Sequence, residues 1–269
     1  MTESPADAAL MFGATGRLGK VMMEALHERG IKPIAIGRPL LADFASNGAL
    51  PTLPERLWLM DASIDYSDMW GHEAEKHAFI AEVARHSHIG LIASFSSGAV
   101  DFDDTQILNP FYLEYKRLKQ HNLAYFKSLG SRLFYPKIYT LIGPHSYCTK
   151  TTGWVHVLDH SIKFGAVSIA HPRELRSWIS EACVRRSFLQ FIDSGRREFL
   201  DAAVCGTFHL ADVVAFCEAR LGHPVTVKPR SAPSWLGAPY VAPAPTRPDA
   251  CSCDLHSQLA HLIDLHSDP

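Results

Sequence analysis

The sequence predicts an α/β protein, a doubly wound parallel sheet with a smaller C-terminal lobe. Three observations predict it. Short apolar runs alternate with helical periodicities over residues 8–145. Strands that alternate with helices run parallel and are covered on both faces. Gly13, Gly16 and Gly19 fall every third residue where the first apolar run meets the first helix. The regularity weakens after Gly143-Pro144, so a second lobe is expected over 146–269.

Ala8 to Phe12 is the first strand, running into the glycines. Leu18, Val21, Met22, Ala25 and Leu26 then recur at helical spacing, and Gly30 follows as a stop. Residues 32–37 form the next strand, completing one βαβ unit. LWLMDA (57–62) and IGLIASF (89–95) read as buried strands around a helix over 72–88, with Phe79, Ile80, Val83 and Ala84 on one face. A helix over 111–128 precedes the strand RLFYPKI (132–138). No third strand stands out within 40–54. In the second lobe, helices are expected at 153–164, 174–193 and 211–221, with short strands near 206–210 and 224–228. Residues 229–248 hold six prolines but also Trp235, Leu236, Tyr240 and Val241, so they read as an extended wrapping segment.

Composition narrows the function. The chain has 269 residues and is 47% hydrophobic, enough for a sizeable core. Its 26 basic and 28 acidic side chains leave a net charge of −2. That balance gives no electrostatic case for nucleic acid or an anionic membrane. The N-terminus MTESPADAAL lacks the basic stretch and apolar run of a secretory signal, and no apolar run reaches membrane-span length. A cytoplasmic protein is expected. Cys148, Cys183, Cys205, Cys217, Cys251 and Cys253 include no CxxC pair, and the fifteen histidines include no HExxH. Reduced thiols and no metal are expected.

Glycine serves where backbone turns with positive φ or passes very close to other atoms. A glycine turn between a strand and a helix also presents the helix N-terminus to a pyrophosphate. At the end of the second strand, where an acid would bond the ribose hydroxyls of NAD, stand Gly37 and Arg38. A guanidinium without a competing acid suits a 2′-phosphate, and Arg17 is a second candidate. NADP is therefore expected over NAD. Further on, IASFSSGAV (92–100) ends a strand in hydroxyls, and Tyr112 and Lys116 lie four apart on one helix face. A nearby ammonium makes a tyrosine a better acid/base. Tyr115 and Lys119 offer the same spacing in a competing frame.

GATGRLG (13–19), the serine pair and Tyr-x-x-x-Lys together resemble the short-chain dehydrogenase/reductase superfamily, in its extended or atypical branch. The resemblance implies a Rossmann-type domain over 8–145 and a substrate-binding lobe over 146–269. It places Ser97, Tyr112 and Lys116 as polarising hydroxyl, acid/base and its partner. Pro110 before the tyrosine and Gln120 four residues after Lys116 favour that frame. Cofactor contacts fall on Gly13, Thr15, Gly16, Arg17, Leu18, Gly19, Arg38, Ala62, Ser63, Tyr112 and Lys116. YPKIYTLIGP (135–144) is similar to the segment whose backbone lines the nicotinamide, adding Pro136 and Ile138. The tail TRPDACSCDLHSQL (246–259) is similar to the ending of dTDP-4-dehydrorhamnose reductases.

The implied activity is NADP-dependent reduction of a keto-sugar, its substrate a small molecule carried on a nucleotide. An epimerase on the same fold and a non-catalytic NADP sensor or scaffold are the alternatives. A homodimer through the helices at 72–88 and 111–128 is implied as well. The chain departs from the pattern at Tyr135, which replaces an arginine, in a short Ser97–Tyr112 interval, and in having no asparagine between 48 and 108.

Overall fold

The structure, a computed structural model, describes residues 8–145, 165–169, 173–229, 239–243, 245–246 and 253–267. Two compact units make up the chain: Met1–Ser96 with Arg117–Pro136 and Arg185–Leu200, and Ser97–Lys116 with Lys137–Val184 and Asp201–Pro269. They do not divide near residue 145. The chain passes between them several times, which no composition shift in the sequence announces.

The first unit is built on six parallel strands: β1 (Ala8–Phe12), β2 (Lys32–Ile36), β3 (Arg56–Asp61), β4 (His88–Ser94), β6 (Arg132–Phe134) and β11 (Glu198–Phe199), in the order β11-β6-β4-β3-β1-β2. Every residue of β1 is buried, as a strand covered on both faces requires. The helices are α1 (Arg17–Glu28), α2 (Arg38–Asn47), α3 (Met69–His86) and, from Arg117 onward, α4 (Pro110–Ser128), whose first turns belong to the second unit. α1 buries Val21, Met22, Ala25 and Leu26 at the spacing read from the sequence. α3 starts at Asp68, whose carboxylate accepts the Gly71 N–H at 3.0 Å. Leu10, Phe12, Leu59, Phe79, Ile80, Val83, Phe126 and Leu133 form its core.

The unread stretch 40–54 has a physical explanation. α2 occupies residues 38–47 and ends on Gly48 at φ 70. β3 then pairs directly with β1, so β2 is left as the sheet edge. Tyr135 is also accounted for: it is 1% exposed and its hydroxyl donates to the Lys119 carbonyl of α4 at 2.9 Å.

In the second unit, β10 (Leu175–Ser180) pairs parallel with β8 (Leu141–Ile142) and antiparallel with β13 (Gly206–His209). β12 (Ala202–Ala203) lies between β15 (Pro245–Thr246) and β7 (Lys137–Ile138), which in turn neighbours β5 (Ser96–Ser97), and β9 (Ala166–Ile169) pairs with β14 (Thr226–Pro229). The helix expected over 174–193 is a strand followed by α5 (Glu181–Asp193). Leu175–Ser180 carries the helical-looking residues, but pairing on both sides makes them a central strand. α6 (Leu210–Leu221) and α7 (Leu255–Ser267) close the core through Val213, Val214, Cys217, Leu259, Leu262 and Ile263. The helix expected at 153–164 and most of 229–248 lie outside the described residues. Among the described residues, no helix is long and apolar enough to cross a membrane.

Candidate functional site

Each of the three glycines has its own physical reason. Gly13 has φ 73, and a Cβ there would stand 2.8 Å from the backbone of Ala62 and Ser63. Gly19, inside α1, would drive a Cβ to 2.0 Å from the Gly13 carbonyl oxygen. Gly16 is the N-cap of α1, has no side-chain cap, and its N–H returns to Gly13 O at 2.9 Å. Helix and strand therefore meet backbone to backbone, and α1 opens with its first-turn N–H groups uncapped by any side chain. This is a turn that fits a pyrophosphate. Around it, Thr15 is exposed, Leu18 half-buried and Arg17 only 9% exposed.

Arg38 opens α2 with its side chain 77% exposed, paired to the Asp65 carboxylate. Asp65 also accepts the Ser67 N–H and hydroxyl, which together with Arg38 hold its carboxyl below the usual range. Ala62 donates its N–H to Phe12 O at 3.1 Å. The Ser63 hydroxyl donates to Asp61 Oδ1 at 2.9 Å.

Beneath the end of β3 lies a group of charges the sequence reading did not pick out. Lys76 Nζ sits 3.0 Å from both Asp61 oxygens and 2.6 Å from Glu73 Oε1. Asn122 Nδ2 donates to Glu73 Oε2 at 2.9 Å. Asp61, Glu73, Lys76, Asn122 and Lys119 are all under 9% exposed. Burial raises the Asp61 carboxyl, but Lys76 and Lys119 outweigh it and hold it low. Burial and the Asp61 charge push Glu73 up. Burial pulls Lys119 down despite both acids, whereas Lys76, also penalised by burial, is held up by them. One signal was available: Lys76 lies three, four and seven residues before Phe79, Ile80 and Val83, on the apolar face of α3.

In the second unit, Ser97 caps a 3₁₀ turn (Gly98–Asp101), its Oγ accepting the Ala99 N–H at 3.2 Å. Tyr240 Oη lies 3.4 Å from that same Oγ. Burial raises the Tyr240 phenol, as do Tyr115 and Tyr112 nearby, against a lowering by the Ser97 bond. Tyr112 packs half-buried against the cluster that Phe102, Ile107, Tyr139, Val204 and Tyr240 help form. Asp101 accepts the Tyr139 hydroxyl at 2.6 Å and pairs with Lys137. Lys116 Nζ is held by Phe102 O at 2.6 Å and Asp104 Oδ1 at 2.7 Å.

Ser97, Tyr112 and Lys116 thus share one unit with Tyr240, which no motif marked. Ile138 is half-buried in β7, and buried Pro136, in the first unit, accepts the Ser96 N–H at 3.0 Å.

No protein-family model and no curated protein sequence matches the chain. Solved structures do match it. UDP-N-acetylglucosamine 4-epimerase from Methanobrevibacter ruminantium M1, in complex with UDP-N-acetylmuramic acid, superposes at TM-score 0.70 and 11% identity, over 98% of this chain and 99% of its own. UDP-glucuronic acid 4-epimerase from Bacillus cereus, with UDP-glucuronic acid and NAD, gives 0.68 and 13% over 96% and 99%. RMD from Pseudomonas aeruginosa, complexed with NADPH, gives 0.68 and 12% over 96% and 98%. The chain has the Rossmann-type fold of these structures along nearly its whole length.

Proposed function

We propose that the chain is a nicotinamide-dependent oxidoreductase of the short-chain dehydrogenase/reductase type, reducing a keto-sugar carried on a nucleotide. The observation that carries the proposal is the turn at Gly13–Gly19, where two glycine positions leave no room for a Cβ and the helix behind them starts without a side-chain cap. The similar structures carry NAD, NADPH or UDP-sugars, which supports the same ligand classes here.

Gly13, Thr15, Gly16, Arg17, Leu18 and Gly19 would hold the pyrophosphate, Ala62 and Ser63 the adenosine side, and Pro136 and Ile138 the nicotinamide side. A bound nicotinamide supplies the hydride. Ser97 orients the carbonyl oxygen by hydrogen bonding, and Tyr112 gives that oxygen its proton, assisted by Lys116. In the structure the Lys116 ammonium is engaged by Phe102 and Asp104. The competing assignment is Tyr115 with Lys119, whose ammonium is itself buried and under the charges of Asp61 and Glu73. Epimerisation is the second reading, because two of the similar structures are 4-epimerases.

NADPH oxidation assayed across nucleotide-linked keto-sugars tests the reading. Tyr112→Phe should abolish reduction while NADPH still binds, and Tyr115→Phe should retain activity. The reverse outcome moves the site to Tyr115/Lys119. Loss of neither, with intact NADPH binding, leaves a sensor. NADPH binding absent altogether overturns the proposal.

A further inference from the structure

Cys183, Cys205 and Cys253 are 22 and 48 residues apart in sequence, a spacing no metal motif uses. Folding gathers them. Cys183 is in the first turn of α5, Cys205 joins β12 to β13, and Cys253 precedes α7. Their three sulfur atoms lie within 4.8 Å of one another, and Cys183 Sγ is 3.2 Å from Cys253 Sγ. A tetrahedral zinc ion about 2.3 Å from each of three thiolates holds the sulfurs about 3.8 Å apart, inside that spread. A disulfide would bring two of them to about 2.05 Å and leave the third without a role.

We propose that these three cysteines form a trithiolate site for Zn²⁺, separate from the nucleotide-binding turn. On binding, three Zn–S bonds form and three thiol protons leave to solvent, giving a centre of net charge −1. Its surroundings suit an anion. Cys183 stands on the N-terminal turn of α5, where the backbone presents partial positive charge. Ser180 Oγ accepts the Cys183 N–H at 3.0 Å and lies 3.0 Å from Cys253 Sγ, to which its hydroxyl donates once that sulfur is a metal-bound thiolate. That hydroxyl orients the sulfur as supporting groups orient metal ligands. The adjacent Glu181 is turned elsewhere, its Oε2 accepting the His145 N–H at 3.0 Å. Cys183 is fully buried, while Cys205 and Cys253 are half-buried, which gives the ion a way in. A water molecule completes four-coordination. The site would pin α7 to the β12–β13 turn and the start of α5.

The purified full-length chain, reduced and stripped with a chelator, is titrated with Co²⁺ and then with Zn²⁺. The expected result is one equivalent of Co²⁺ with sulfur-to-cobalt charge-transfer absorption and intense tetrahedral bands, displaced by Zn²⁺. Cys205→Ser and Cys253→Ser should each weaken binding by more than the roughly 10–100-fold that loss of a supporting group costs. Cys217→Ala, in the same core but outside the cluster, should leave it unchanged. Zn²⁺ should raise the melting temperature of the unsubstituted chain and not that of Cys253→Ser, a readout independent of activity. Cobalt bands without sulfur character overturn the proposal. So does binding that survives both serine substitutions, or a Cys183–Cys253 disulfide that forms equally well in the presence of Zn²⁺.

Discussion

Gly19 shows most sharply how a single residue constrains this molecule. Its backbone is helical, so no φ penalty applies, yet a Cβ would meet a main-chain oxygen at 2.0 Å. Main chain cannot step aside as a side-chain tip can. We expect Gly19→Ala to cost about 3 kcal/mol and to impair nucleotide binding. Gly30 is the contrast: φ is 66, but nothing lies within 4 Å. Gly30→Ala should cost only about 1–2 kcal/mol, through backbone strain alone. Urea midpoints of the two variants check the difference, and equal losses would refute the close-contact argument. Arg38 is the second residue to test. Its guanidinium already has an acid, Asp65, so a 2′-phosphate must compete for it. Arg38→Ala should weaken NADPH more than NADH, by about 1.5–3 kcal/mol. Asp65→Asn should do the opposite and tighten NADPH. Calorimetric titration with both nucleotides decides, and equal changes for NADPH and NADH would rule out a 2′-phosphate contact.

Between the elements, the buried charges binding α3 to β3 and α4 set the next expectations. Replacing Lys76 with Met keeps most of the apolar side chain but removes the ammonium between Asp61 and Glu73. Removing one partner of a buried ion pair costs about 3–5 kcal/mol. Chemical denaturation of Lys76→Met measures it, and a loss below about 1 kcal/mol would show the network to be dispensable. His77, on the same helix, stacks on Tyr125 at 3.8 Å. Burial, then the charges of His121 and Lys76, lower its pKa from 6.5 to about 4. The folded pKa lies below the unfolded one, so the unfolded chain takes up the proton first. The resulting stability is full above pH 6.5 and is lost as pH falls toward 4. His77→Gln should therefore lose less stability than the unsubstituted chain between pH 7.5 and 5. Parallel curves for the two proteins would assign the acid sensitivity to other groups.

At the scale of the whole molecule, we expect a homodimer formed through α3 and α4. Trp70, at the start of α3, is 42% exposed while its ring contacts His121 of α4. An aromatic held at the surface by its own neighbour suits an interface better than a solvated face. Light scattering at micromolar concentration should give twice the chain mass, and Trp70→Glu should give the monomer. A monomeric mass for the unsubstituted chain would refute the interface. Cofactor binding belongs to this scale too: saturating NADPH should raise the melting temperature, because a ligand of the folded state alone stabilises it by mass action.

How much of this was legible in the sequence follows from the range of the forces involved. β1, α1, β3, α3 and β4 were readable because burial periodicity and glycine punctuation act over a few residues, and each element there serves one sheet. Leu175–Ser180 misled because its fate as a strand depended on partners 28 to 38 residues away, on either side in the chain. The fingerprint, Ser97 and the Tyr-Lys spacing were visible as local patterns. Tyr240 beside Ser97, Asp104 on Lys116 and Asp65 on Arg38 were not, since each is a contact between distant segments. The same holds for the three sulfurs of Cys183, Cys205 and Cys253. By itself the sequence determined the parallel α/β architecture and the glycine turn, because local sterics and apolar periodicity suffice for both. Only the tertiary structure decided which charges and thiols stand together, because those contacts exist only after the chain has closed loops of tens of residues.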